Sequence, residues 1–393
     1  MSIGLSLWLI ATVILLFPDI FKTLYRAKVN IDLSNVMMLM LILTPMLGAL
    51  YLGGGSTGLK TVINQLLYFG FPFIAGKYIV KDVKDFNKII STLALASFII
   101  CTMTLFEFIS KQSIFSYLSF LMIDPSAKWE NSQFMGYRGE LIRPIASFGQ
   151  GIYLGLFLGL IIIIAITILF RKGTVVSIRN RSIIILLLSL TSFSLMLSQS
   201  RTAIVSLIII IVIFIFINIK RLKVLNIMFL LATIFFSLFV FKNIIYHIVD
   251  ELLFRNITST SAWLNFISRL DIFETGWQIL YSDVSFWGAL TPNVIWYREN
   301  VDLLNGFLWK YMFHGYFYGT INLLFWFLTI WRSLKIGKTN QYGYMLFLIM
   351  IYFFISNNIT TIYFQNELLF YLIAGIIFNP VHILRKGEVV RFR

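Results

Sequence analysis

IVSLIIIIVIFIFI, residues Ile204 to Ile217, is a run without a single charge, and it sits between a polar knot, Ser198-Gln199-Ser200-Arg201-Thr202, and the basic Lys220-Arg221. A transmembrane helix needs about 20 mostly apolar residues, and extending the run outward to residues 202–219 reaches that length. Ile161–Phe170 and Ile183–Leu190 are equally free of charge. The whole chain follows suit: 393 residues, 59% hydrophobic, 17% aromatic and only 12% charged. A soluble domain is about half apolar and about a quarter charged, so this chain carries more apolar surface than one soluble core can bury. The sequence predicts an all-α fold, a polytopic transmembrane helical bundle forming a single integral membrane domain over residues 1–393. Spans are expected at 2–17, 33–52, 61–76, 89–109, 144–170, 183–199, 202–219, 224–241, 311–331, 343–357 and 365–379, about eleven in all. Residues 2–17 lack a basic lead and a small-x-small cleavage site, which marks a membrane helix and not a signal peptide.

Charge orients these spans. Alternate connections, beginning with Lys22, Arg26 and Lys28 and ending with Arg385, Lys386, Arg391 and Arg393, hold 21 of the 32 Lys and Arg against five acids. The opposite side holds 11 basic residues against 12 acids, so one face nets +16 and the other −1 of the total +15. Positive charge gathers on the cytoplasmic side, which predicts an outside N-terminus and a cytoplasmic C-terminus. The excess therefore reports topology and anionic lipid headgroups; nucleic acid is not an expected partner.

Other chemistries lack their residues. Cys101 is the single cysteine, so an intrachain disulfide and a Cys-based metal site are both excluded. His247, His314 and His382 are scattered without metal-ligand spacing. No Gly-rich phosphate loop followed by Lys-Ser or Lys-Thr occurs. Neither a metal nor a cofactor is expected.

Two outer connections break the hairpin rhythm, 110–143 and 242–310, and long loops in compact proteins are commonly functional. Within the second, Trp263, Phe266, Ile267, Leu270, Phe273, Trp277 and Leu280 recur at helical steps, predicting an amphipathic helix near 263–280. Two compatible readings follow: it lies on the bilayer surface, and it caps a cavity into which Arg269 points. Gly288 and Pro292-Asn293 then signal turns.

Arg201, between two very apolar helices, is expected at the outer mouth, where an arginine opposes the positive-inside bias. Residues of this kind face an aqueous cavity or an anion; the plain alternative is a snorkelling anchor. Arg143 repeats the pattern in Arg143-Pro144-Ile145-Ala146-Ser147-Phe148-Gly149-Gln150-Gly151, with Pro144 suited to a first helical turn. Ser147, Gly149, Gly151 and Gly155 permit close approach of a helix or a substrate. Six of the eleven outer basic residues are arginines: Arg138, Arg143, Arg201, Arg255, Arg269 and Arg298. A guanidinium offers a planar fork of donors to phosphate, so the set suits a lipid diphosphate.

Three stretches resemble the superfamily of O-antigen and capsular polysaccharide polymerases (Wzy-type) and O-antigen ligases. Arg143-Pro-Ile-Ala-Ser-Phe-Gly resembles its Arg-small-Phe lead into a mid-chain helix. Ser198-Gln-Ser-Arg201-Thr-Ala is similar to its Ser-Arg-small element. Arg269 followed by Trp277, Gly288 and the 302–315 stretch is similar to its arginine-bearing outer loop, and Arg138 with Gly149 matches an Arg-x10-Gly spacing. Ligases carry a His near an Asn at the end of that loop; here stand Asp302 and Asn305, with His314 later. The resemblance implies a GT-C-like, metal-independent membrane glycosyltransferase with undecaprenyl-diphosphate-linked oligosaccharide as substrate. A flippase and a chain-length regulator are the partners it implies. On that chemistry Arg143, Arg201 and Arg269 stabilise the departing diphosphate, and Glu299, Asp302 or His314 takes the hydroxyl proton. Arg138 and Arg298 bind substrate, and Trp277, Trp287, Trp296 and Tyr297 stack on sugars or pack in the core. A ligase shares this arginine logic. A flippase or secondary transporter predicts midplane ionisable residues and inverted repeats, and the spans read as almost free of charge.

Overall fold

The computed structural model describes residues 32–51, 62–80, 82–112, 114, 137–138, 141–148, 150–170, 178–218, 274–287, 306–338, 341–360 and 364–379. The expected spans at 2–17 and 224–241 lie outside them, as do Arg269, Trp296, Tyr297, Arg298, Glu299 and Asp302. Two compact units divide the chain. The first comprises Met1–Phe86 and Asp271–Gly387, the second Asn87–Leu270 and Glu388–Arg393.

Helices dominate because a long apolar segment must satisfy its own backbone polar groups locally. They are α1 (Leu33–Tyr51), α2 (Val83–Ser110), α3 (Gly151–Leu169), α4 (Ile178–Leu197), α5 (Arg201–Asn218), α6 (Gly306–Gly337), α7 (Gln341–Ile359) and α8 (Phe364–Ile377). The strands described are a two-residue ladder, β1 (Tyr137–Arg138) against β2 (Leu141–Ile142). Among the described residues, three helices are long and apolar enough to cross a membrane: Lys84–Ser110, Gly151–Leu169 and Tyr342–Ile359. Leu33–Gly48, Arg181–Leu197, Arg201–Ile217 and Asn366–Ile377 are shorter apolar helices.

In the second unit α3 is apolar all round and buried from Leu154 to Ile168, packed by α4 and α5. The unit's apolar exposure falls instead on α2 (Leu95, Ile99, Ile109) and α5 (Ile208, Val212, Phe216). Residues 144–148 and 150 are not part of the helix, which corrects the expected start of that span. Pro144 and Ile145 are irregular, Ala146–Phe148 make a 3-10 turn, and α3 opens at Gly151. The reason is local: Ala146 holds a left-handed φ of 43°.

In the first unit α6 packs on α7 and α1, and α8 packs on the segment 66–79. That segment alternates π turns (Leu66–Gly70, Ala75–Ile79) around a single α turn (Phe71–Ile74), where the sequence predicts one regular span. Close helix approach is arranged by facing glycines: a Cβ on Gly76 would meet the Leu372 carbonyl, and one on Gly375 the Phe73 carbonyl.

The second outer connection also ends earlier than expected. Gly306–Lys310 are already helical, and α6 breaks at Gly315 (φ 82°). The break frees two N–H groups from the helical ladder. Tyr316 N–H bonds the Ser285 carbonyl at 3.4 Å and Phe317 N–H the Phe286 carbonyl at 3.2 Å. Residues 274–283 are helical, and the expected stretch 263–273 lies outside the described residues. The buried face is Ile279, Leu280 and then Val284, against Leu308 and Met312. Trp277, expected on that apolar face, is instead 40% exposed.

Candidate functional site

The second unit brings two of the singled-out arginine stretches together. Arg143 Nε donates to the Ser198 carbonyl at 2.9 Å, across 55 residues of sequence. Glycine makes the approach possible: a Cβ on Gly151 would strike the Arg143 side chain, and one on Gly155 would strike Ser200. The small residues therefore admit the 198–200 turn of the same unit. That turn is tight, with Gln199 at φ 51° and its side chain 2% exposed. Ser200 then caps α5, its Oγ accepting from Ala203 N–H at 3.4 Å. Arg201 is the first residue of α5 and is exposed. A guanidinium there adds charge to the positive end of the helix dipole, which makes this corner hospitable to an anion.

A residue the sequence reading passed over holds the lead-in to Arg143. Glu107, on α2, is fully buried. Its carboxylate accepts from Ile145 N–H at 2.9 Å, Ala146 N–H at 2.7 Å and Ile114 N–H at 3.1 Å. Charge-assisted bonds to backbone donors hold the left-handed turn at Ala146, a conformation that otherwise costs about 1–3 kcal/mol. An acid in an otherwise apolar span was the available signal.

The first unit contains a separate polar core. Lys310 and Glu367 pair at 2.9 Å with their side chains 9% and 13% exposed. The ammonium also lies over the rings of Phe69 (5.0 Å) and Trp309 (5.5 Å). Gln65 bonds the Tyr318 hydroxyl at 3.4 Å, and Asn322 bonds that of Tyr371 at 3.4 Å. Lys310, Asn322, Asn357 and Glu367 line a small cavity together with the Trp326, Phe370 and Tyr371 rings. The spans are thus less free of charge than the sequence reading holds: Glu367 lies within the expected 365–379 span and pairs with a lysine assigned to a loop.

Of the remaining predicted site residues, His314 precedes the Gly315 break, with its ring 4.6 Å from Tyr318 and 6.0 Å from Trp309. Trp287, half-buried, packs on Phe286 and Phe317, and Phe286 is itself exposed. Trp277 stacks on Tyr281 at 6.0 Å, and both are exposed. Arg138 lies in β1.

At the N-terminal end of α1, Asp32 caps the helix by accepting from Asn35 N–H at 3.1 Å. Lys77, 1% exposed, donates to Asp32 (2.7 Å), Ser34 (2.8 Å) and Asn35 (2.8 Å), which uses all three of its protons. Burial by itself raises the Asp32 pKa; the bonds from Lys77, Ser34 and Asn35 outweigh it and hold the carboxyl below its ordinary value.

Among the described residues no three His, Cys, Asp or Glu side chains gather as a metal site requires. The chain matches no family model and no curated protein.

Proposed function

We propose that this chain is a polysaccharide polymerase that joins undecaprenyl-diphosphate-linked repeat units on the outer face of the bacterial cytoplasmic membrane. In this reading it is a GT-C-like protein of about eleven spans, with its N-terminus outside and its C-terminus in the cytoplasm. The observation that carries it is the Arg143–Ser198 contact, which sets two distant arginine stretches on one turn at a helix N-terminus. The acceptor hydroxyl oxygen attacks the anomeric carbon of the lipid-linked donor. The bond from that carbon to the diphosphate breaks, and the diphosphate leaves with the electron pair. Negative charge grows on the leaving group, where Arg143, Arg201 and Arg269 supply fixed positive charge. The hydroxyl proton passes to Glu299, Asp302 or His314. A flippase supplies repeat units to such an enzyme, and a chain-length regulator is its further partner.

One observation favours a second reading, a lipid-linked glycan flippase or other secondary transporter: the buried Lys310–Glu367 pair is the kind of intramembrane ion pair that marks transport pathways. An O-antigen ligase shares the arginine corner. Deleting the gene and sizing the cell's lipid-linked glycans separates the three. Single repeat units on the carrier, with long chains lost, are expected for a polymerase. Full-length chains stranded on the carrier indicate a ligase, and loss of outward-facing repeat units indicates a flippase. Complementation with Arg143→Ala or Arg201→Ala is then expected to leave polymerisation about 100-fold or more below wild type, the scale of losing one transition-state donor.

A further inference from the structure

The cavity of the first unit abuts a polar atom for which the described residues supply no partner. Asn322 is 2% exposed. Its Nδ2 donates to the Tyr371 hydroxyl at 3.4 Å, while its Oδ1 receives no hydrogen bond from the described residues. A buried acceptor left in that state costs about 1–3 kcal/mol, and folded proteins meet such groups with a donor. Charge narrows the donor's identity. Lys310 and Glu367 neutralise each other at 2.9 Å, so neither a free cation nor a free anion gains by entering. Glu367 engages Lys310 through Oε1, which leaves Oε2 as a second acceptor on the same wall. An amide oxygen and a carboxylate oxygen call for a donor, and a water or alcohol O–H supplies one without adding charge.

We propose that this cavity is a binding site for a hydroxyl, donated to Asn322 Oδ1 or Glu367 Oε2, between walls formed by the rings of Trp326, Phe370 and Tyr371. Its floor has space for about one water oxygen, so water and one hydroxyl of a saccharide are the two sources of this chemistry. This site stands on the first unit alone and does not depend on the polymerase reading.

The full chain in lipid nanodiscs, imaged at water-resolving resolution with and without methyl glucoside, tests it. The expected result is a density peak at hydrogen-bond distance, about 2.7–3.2 Å, from Asn322 Oδ1. A single-oxygen peak in both maps identifies water as the occupant. Ring density appearing with methyl glucoside identifies a saccharide hydroxyl, and its binding should then be lost in Asn322→Leu. No peak within hydrogen-bond distance of Asn322 Oδ1 or Glu367 Oε2 in either map overturns the proposal. The wild-type maps decide the matter even where the variant does not fold.

Discussion

The arginine corner of the second unit and the Lys310–Glu367 core of the first solve the same problem in different ways. Both place charge among apolar helices, where an unpaired ion is costly. In the second unit the charged groups turn to the backbone: Arg143 donates to a carbonyl, and Glu107 accepts from N–H groups. In the first unit two side chains meet each other across 57 residues of sequence. The difference is one of replaceability. A side-chain pair can be removed as a pair, because an apolar couple of similar volume leaves nothing unsatisfied. A backbone group cannot be deleted, so its side-chain partner has no substitute.

The largest expected effect breaks the side-chain pair one member at a time. Lys310→Met or Glu367→Gln should each cost about 3–5 kcal/mol, because each leaves a buried partner uncompensated. The double variant Lys310→Met/Glu367→Leu should recover most of that loss. Unfolding in detergent of the two singles and the double measures this, and a double variant as unstable as the sum of the singles would refute the contrast.

A smaller loss, about 2 kcal/mol, is expected for Glu107→Gln, whose amide keeps one accepting oxygen but gives up the charge. No second substitution should restore it, since its partners are main-chain N–H groups. A suppressor screen on Glu107→Gln that returns a side-chain partner at 145 or 146 would blur the distinction.

The smallest effect concerns Asp32, which combines both modes: it accepts from Lys77 and from the Asn35 backbone. Its carboxyl pKa is lower folded than unfolded. Its contribution is therefore complete above the ordinary aspartate value, about 3.9, and fades as pH falls through the lower folded value. Below about pH 4 the wild-type melting temperature should fall more steeply than that of Asp32→Asn. Parallel slopes would show that Asp32 does not set the acid limb.

Much of the helical framework was legible in the sequence. Runs such as 204–217 and 161–170 form helices because each backbone group bonds within its own segment, so no distant residue has to be known. The Ser198–Arg201 knot was legible for the same reason: polar residues between two apolar runs make a turn. The arginine stretches and the glycines at 151 and 155 were likewise marked, although what the glycines admit is the neighbouring turn. Missed were Glu107 as the anchor of the Arg143 lead-in, and Glu367 as the mate of Lys310. Periodicity also misplaced Trp277, since apolar spacing identifies a helix but not which flank its neighbours cover.

Among the described residues, the sequence by itself determined where the long apolar runs form helices, how apolar they are, and where charge interrupts them, all properties of neighbours along the chain. The tertiary structure alone decided which interruptions meet. It set Glu107 on the Ile145–Ala146 backbone, Lys310 on Glu367, and the freed N–H groups after Gly315 on the carbonyls of Ser285 and Phe286. Those choices follow from the cost of an unsatisfied polar group away from water, which is met by whichever partner the packing brings within reach, however far apart the two lie in sequence.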